Sequence, residues 1–190
     1  MSATKCWGIG LGRTGTMSLC EAFRLLGFGN VIHNPPFEAL AAADAGADNG
    51  VVIFYKYLDC KFPGSKFVLT TRELESWLAS TEIANQTYPL ALTNNDIPMM
   101  RRMLIYETVT FDRDQYIAAR ERHHRDVRRY FRDRPEDLLE LDIICGEGWE
   151  KLCPFLDIPV PAMPFPHIHR RTGEPGVTMA DYFHNRALTG

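Results

Sequence analysis

Gly8-Ile-Gly-Leu-Gly-Arg-Thr-Gly-Thr-Met-Ser18 is the stretch on which the reading of this chain turns. Just before it, Lys5–Ile9 reads as a short buried strand running into the glycines. Just after, Thr16–Leu26 reads as a helix, with Leu19, Phe23 and Leu26 on one face and Gly27 as its stop. Glycines between a strand and a helix let backbone N–H groups curl around an oxyanion, and the helix N-terminus adds partial positive charge. Arg13 supplies a full charge; Thr14, Thr16 and Ser18 supply hydroxyls. The loop is therefore expected to grip the anionic end of a nucleotide through Gly12, Arg13, Thr14, Gly15, Thr16 and Met17.

Working outward, Asn30–His33, Lys66–Thr71 and Leu138–Ile143 read as further strands. Val51–Lys61, Glu73–Ala84, Pro98–Thr108, Arg113–Arg132 and Gly148–Leu156 read as helices. Strands alternating with helices predict a three-layer α/β fold of the P-loop kind, its central parallel sheet flanked by helices. In such sheets the ligand lies at the carboxyl ends of the strands. Residues 1–190 read as one domain. From about Pro159 the chain is crowded with prolines, so an irregular C-terminal segment is expected, with one helix near Ala180–Asn185.

Composition narrows the function classes. The chain is 45% hydrophobic and 24% charged, which are globular values. A net charge of −3 gives no global attraction to nucleic acid or acidic membranes, so an anion must be held by local positive groups. The arginine-rich run Arg113–Arg134 carries interleaved acids and reads as an amphipathic helix with a charged outer face. The N-terminal residues resemble neither a secretory signal nor a membrane span. The 5 cysteines are scattered and form no CxxC pair, which suggests reduced thiols, a cytoplasmic location and neither zinc site nor disulfide framework.

Four loop types compete for Gly8–Ser18. A Walker A loop needs lysine where Thr16 stands, which argues against an ordinary ATP or GTP site. Gly10-x-Gly12-x-x-Gly15 matches the dinucleotide fingerprint, but the second strand runs into Asn30-Val-Ile-His-Asn34 with no acid for a ribose. A tyrosine-phosphatase loop needs a cysteine where Trp7 stands, and Cys6 is one position too far, so Cys6 reads as a core residue. The loop that binds the phosphosulfate of 3′-phosphoadenosine 5′-phosphosulfate (PAPS) needs a basic residue followed by Ser/Thr-Gly-Thr. Arg13-Thr-Gly-Thr16 fits it without gaps.

A PAPS site must also hold a 3′-phosphate. Lys66-Phe-Val-Leu-Thr-Thr-Arg72 ends a strand on an arginine, and Ser80 follows eight residues later in the next helix. That pairing matches the 3′-phosphate site of sulfotransferases in residue type and spacing. With both sites in view, the chain resembles the small P-loop sulfotransferase-like family. The resemblance extends through Phe62–Arg72, Trp77, Glu147–Leu156 and Pro164–His169. It implies a PAPS-dependent sulfotransferase that releases PAP, needs no metal, and passes a sulfuryl group to a hydroxyl or amine of a small-molecule acceptor. It also implies no nucleic-acid or membrane partner, with a monomer or homodimer as the working unit. One departure concerns Asp48-Asn-Gly50, where the family often has Asp-x-Pro.

Three assignments stay open on the residues alone. Arg170 and Arg171 either close over the 3′-phosphate or form a solvated basic patch. His33, at a strand's carboxyl end, is a candidate base because histidine titrates near neutrality. Asp48 is the rival base, or a clamp on the acceptor; the resemblance puts both near the acceptor. The competing function classes are an NAD-binding oxidoreductase or other enzyme using the same glycines, and a nucleotide-binding module without catalysis.

Overall fold

The computed structural model describes residues 4–87 and 96–168. Arg170, Arg171 and the expected helix at Ala180–Asn185 lie outside them. Five strands form one wholly parallel sheet: β1 (Cys6–Gly8), β2 (Val31–His33), β3 (Ala45–Ala47), β4 (Lys66–Thr70) and β5 (Leu138–Leu141), in the order β2-β3-β1-β4-β5. Seven helices surround it among the described residues: α1 (Thr16–Leu25), α2 (Asn49–Val52), α3 (Tyr55–Lys61), α4 (Leu74–Thr87), α5 (Asp96–Tyr106), α6 (Arg113–Tyr130) and α7 (Trp149–Leu156). This is the three-layer α/β arrangement that the alternation of elements predicts.

Alternating side chains of the strands feed two cores. Cys6, Ala45, Ala47, Val68 and Leu141 face α1 and α7, meeting Leu19, Phe23, Trp149 and Leu152. Trp7, Ile9, Phe67 and Leu69 face α3 and α6, meeting Tyr55, Leu58, Val127 and Phe131. Strands buried on both faces read as continuous apolar runs, which is why β4 is so legible. A third core, built from Leu11, Val52, Trp77, Ile105, Tyr106 and Tyr116, lies among α2, α4, α5 and α6.

Two elements depart from expectation. β3 is Ala45-Gly46-Ala47, a string without strand propensity. Small residues are required there: a Cβ on Gly8 would lie 2.6 Å from that of Ala47, and one on Gly46 would lie 2.8 Å from the Ile32 carbonyl. The expected helix Val51–Lys61 is instead α2 and α3, broken where Phe54 adopts φ −111° and ψ 9°. The break turns the Phe54 ring outward onto Phe37, with centroids 4.8 Å apart, while Val51, Tyr55 and Leu58 stay in the core.

The strand order places β1 between β3 and β4. The chain runs from β1 to the β2–β3 side, then returns across to β4, so a crevice opens beyond the carboxyl end of β1. The Gly8–Ser18 loop, His33, Asp48 and Arg72 all follow strands that end at this crevice.

Candidate functional site

The crevice is a half-open pocket of about 310 Å³, lined by Gly12, Arg13, Gly15–Ser18, His33, Asp48 and Arg72, with α4, α5 and α6 supplying Asn85, Arg102, Tyr106 and Tyr116. The loop enters it with alternating backbone hand: Arg13 at φ 72° and Gly15 at φ 96° are left-handed, and Gly12 and Thr14 are not. Such alternation curls successive amides towards one point. Among the described residues the amides from Gly12 to Ser18 reach no backbone acceptor, while Leu19 N–H donates to the Gly15 carbonyl at 3.0 Å and starts the helical ladder.

The glycines of the loop do different work. A Cβ on Gly10 would fall 1.9 Å from Thr70 Oγ1 and 2.4 Å from the Thr70 carbonyl, so Gly10 lets the loop pass against the end of β4. Gly12 is not crowded; the nearest atoms to a Cβ there would be Asp48 Oδ1 and Asn49 Oδ1, both at 3.7 Å across the pocket.

The loop hydroxyls are mostly spent inside the protein. Thr14 is buried, with its Oγ1 donating to the Leu11 carbonyl at 2.6 Å and lying 2.6 Å from Thr70 Oγ1. It therefore offers the pocket an amide and no hydroxyl. Thr16 Oγ1 donates to Asp48 Oδ2 at 2.8 Å, and Ser18 Oγ accepts the Ile168 amide at 2.9 Å. This last bond ties the irregular segment after α7 to the start of α1.

Arg72 is tied to the loop through the Arg13 backbone carbonyl. Arg72 Nη1 donates to the Arg13 carbonyl at 3.0 Å and its Nε to Ser76 Oγ at 2.9 Å, while Arg13 Nε donates to Ser80 Oγ at 3.2 Å. The structure thus brings Arg13, Arg72 and Ser80 together, with Ser80 joined to Arg13 rather than to Arg72. Burial, and next the Arg13 charge, lower the pKa of Arg72 below the usual arginine value. Two cationic side chains that feel one another, with no ion pair to either among the described residues, favour an anion beside them.

On the opposite wall His33 Nε2 lies 3.1 Å from Asp48 Oδ2 and 3.2 Å from Thr16 Oγ1. Asp48 Oδ1 also accepts the Asn49 amide at 2.6 Å, capping α2. Burial works against the charged form of Asp48. The neighbouring His33 ring and the hydrogen bonds from His33, Asn49 and Thr16 outweigh it and hold the carboxyl at about 2. Its backbone, at φ 84° and ψ −174°, occupies a region that glycine alone visits freely, a strain of about 1–3 kcal/mol typical of functional positions. Because a carboxylate only accepts, the proton shared in this contact sits on Nε2.

The neighbouring turn explains the departure at Gly50. A Cβ there would lie 2.1 Å from the Pro35 carbonyl, and the Gly50 amide donates to Asn34 Oδ1 at 3.1 Å, which a proline could not do. Arg101 of α5 braces the same turn, reaching Asn34 Oδ1 and the Pro35 carbonyl, each at 2.7 Å. Neither Arg101 nor Arg102 stood out in the sequence, because an Arg-Arg pair on a surface helix carries no signal of its own.

These donors suit a nucleotide with two anionic ends: an amide cradle with Arg13 for one, and Arg72 with the Ser80 hydroxyl for the other. Asn49 Oδ1, buried beside Gly12, has no hydrogen-bond partner among the described residues and adds an acceptor to the same pocket. Among the described residues no three His, Cys, Asp or Glu side chains cluster as a metal site would require, and no helix is long and apolar enough to cross a membrane.

Comparison with known proteins gives the family. Protein M of the Ava biosynthesis cluster in Aspergillus versicolor is 29% identical over 208 residues, covering 84% of this chain and 78% of that protein. A family model described as a sulfotransferase domain matches residues 5–37 and 35–173, most of the sequence. The chain therefore belongs to the sulfotransferase domain family, and its activity is that of a PAPS-dependent sulfotransferase.

Proposed function

We propose that this sulfotransferase modifies a hydroxyl or amine of a small-molecule acceptor, with His33 as the base and Asp48 as the group that orients it. The observation that carries the division of labour is the three-fold hydrogen bonding of Asp48 by Thr16, His33 and the Asn49 amide. A carboxyl held at about 2 is a poor proton acceptor at neutral pH. Its negative charge instead keeps the proton on His33 Nε2 and leaves Nδ1 free to take the acceptor's proton.

PAPS, when bound, supplies a sulfuryl group attached to a phosphate that can depart. Arg13 and the amides of Gly12, Thr14, Gly15, Thr16 and Met17 neutralise negative charge at the 5′ end. Arg72 and Ser80 hold the 3′-phosphate; Ser80 Oγ accepts from Arg13 and still has its own proton to donate. Catalysis in this reading is positioning and charge stabilisation, with no metal. Asn85, Arg102, Tyr106 and Tyr116 line the wall left for the acceptor. In a pocket of about 310 Å³ that wall suits a small molecule.

Turnover of PAPS against an acceptor panel tests the reading. His33→Gln should lower kcat by about a hundredfold or more with PAP affinity intact. Asp48→Asn should retain more activity than His33→Gln, since its amide oxygen can still accept from Nε2. Full activity of His33→Gln would remove the histidine from proton transfer, and loss in Asp48→Asn alone would make the aspartate the base.

A further inference from the structure

Three consecutive carbonyls of the first loop are each tied by a different side-chain donor. The Leu11 carbonyl accepts Thr14 Oγ1 at 2.6 Å, the Gly12 carbonyl accepts Trp77 Nε1 at 3.0 Å, and the Arg13 carbonyl accepts Arg72 Nη1 at 3.0 Å. Peptide groups are planar and trans, so each N–H points away from the carbonyl of its own plane. Fixing these carbonyls on their donors therefore aims the amides of Gly12, Arg13 and Thr14 the other way. The left-handed Arg13 and Gly15 then curl those amides towards a common centre.

Trp77 is the member of this set that no ligand-binding role requires. It is fully buried in α4, five residues beyond Arg72, and packs against Tyr116 with ring centroids 6.1 Å apart. A buried indole N–H needs some acceptor. This one takes the only carbonyl of the three that neither the loop itself nor Arg72 holds. The indole is in turn fixed by Arg120, whose guanidinium lies 5.9 Å from the ring centroid and whose Nη2 donates to the Arg72 carbonyl at 2.8 Å. One rigid brace thus runs from α6 through Trp77 to the loop and through Arg72 to the end of β4.

We propose that Trp77 is a positioning residue for the anion cradle: its indole N–H holds the Gly12 carbonyl and so aims the Arg13 amide at the 5′ end of the bound nucleotide. The inference rests on the PAPS reading of the loop and adds a residue that contacts no substrate. It predicts a selective defect. Without the indole N–H, the Gly12–Arg13 peptide is free to rotate, and binding of the 5′-phosphate weakens while the 3′-phosphate contacts at Arg72 stay in place.

The test is calorimetric titration of wild type, Trp77→Phe and Thr14→Val with PAP and with adenosine 3′-monophosphate, which lacks the 5′ group. Trp77→Phe keeps an aromatic ring in the core but cannot donate. Trp77→Leu, which also cannot donate, replaces it if Trp77→Phe folds poorly, and Thr14→Val releases the neighbouring Leu11 carbonyl and so reads the same kind of defect at the Gly12 amide. Each variant should weaken PAP about tenfold, equivalent to about 1.4 kcal/mol, and leave adenosine 3′-monophosphate within about twofold. Equal losses for both ligands would mark a general packing role and overturn the proposal. Unchanged PAP affinity in variants of a wild type that binds PAP would overturn it alone. Failure of the wild type to bind PAP would overturn the nucleotide reading together with it.

Discussion

Gly10 and Gly12 stand two residues apart in one loop, yet alanine at each should produce opposite defects. At Gly10 the new methyl carbon would sit 1.9 Å from Thr70 Oγ1, 2.4 Å from the Thr70 carbonyl and 2.8 Å from the Thr70 amide, well inside contact distance on three sides. Two of those atoms are backbone at the end of β4, so relief requires shifting the strand by about 1 Å. That shift also strains the Thr14–Thr70 hydroxyl contact of 2.6 Å. Overpacking of this kind costs about 1–3 kcal/mol and a disrupted buried hydrogen bond about 1–3 more, together about 2–6 kcal/mol. For a domain of this size that lowers the melting temperature by roughly 4–24 °C.

At Gly12 the methyl carbon would meet nothing closer than 3.7 Å and the backbone is not left-handed, so Gly12→Ala should fold within about 1 kcal/mol of wild type. Its methyl, however, projects between the cradle and Asp48, into the space that the 5′-phosphate and the group it carries would need. Thermal unfolding with and without PAP separates the two defects. At a ligand concentration of a hundred times Kd the wild type should gain about 2.7 kcal/mol, roughly 5–11 °C. Gly12→Ala should lose most of that gain while keeping its unliganded melting temperature. Gly10→Ala should lose the melting temperature itself. A stable, fully active Gly10→Ala protein, or a Gly12→Ala protein that binds PAP normally, would refute the division of roles.

Two further outcomes are expected. Arg72→Ala should weaken PAP by about 2–4 kcal/mol in titration calorimetry, and AMP by no more than about 1, the smaller loss reflecting the bond from Nη1 to the Arg13 carbonyl. Equal losses for the two nucleotides would detach Arg72 from the 3′-phosphate. His124 lies buried on α6, where burial and then the charges of Arg120, His123 and Arg128 depress its pKa from 6.5 to about 4. The unfolded chain takes up this proton first, so stability is full above pH 6.5 and falls as pH drops towards 4, by at most about 3 kcal/mol. His124→Gln should flatten melting temperature against pH over that interval, and parallel curves for the two proteins would contradict the assignment.

The fold was legible wherever side-chain pattern carries it. Lys66–Thr70 is apolar on both faces and reads directly as a central strand, and the glycines after Cys6–Gly8 mark the crevice. Ala45–Ala47 could not be read, because its residues are chosen for what they omit: β3 exists to let α1, β1 and β2 approach closely. For the candidate site, the sequence marks which residues could converge. Residue type and spacing single out Arg13, Arg72 and Ser80, and the structure brings these three together. Whether Thr14 turns its hydroxyl inward, and whether Ser80 pairs with Arg13 or Arg72, depends on loop dihedrals that no residue pattern encodes. Trp77 and Arg101 were opaque for another reason. Each acts on a backbone carbonyl from a different helix, a partner of which side chains carry no mark, and Arg101 adds only the one side-chain contact to Asn34.

The turn at Gly50 also carries an evolutionary consequence. Its amide and Arg101 converge on the single oxygen Asn34 Oδ1, so positions 34, 50 and 101 form one hydrogen-bonded unit. A lineage that places proline at position 50 forfeits one of the two donors and brings a ring against the Pro35 carbonyl. It must then re-route the turn, and both the acceptor at 34 and the guanidinium at 101 lose their reason to persist. Among relatives, the three positions should therefore covary: glycine with asparagine and arginine in one group, proline with different partners in the other. Drift at 34 or 101 on its own would cost the first group one of the hydrogen bonds that brace the turn beside the strand that carries His33.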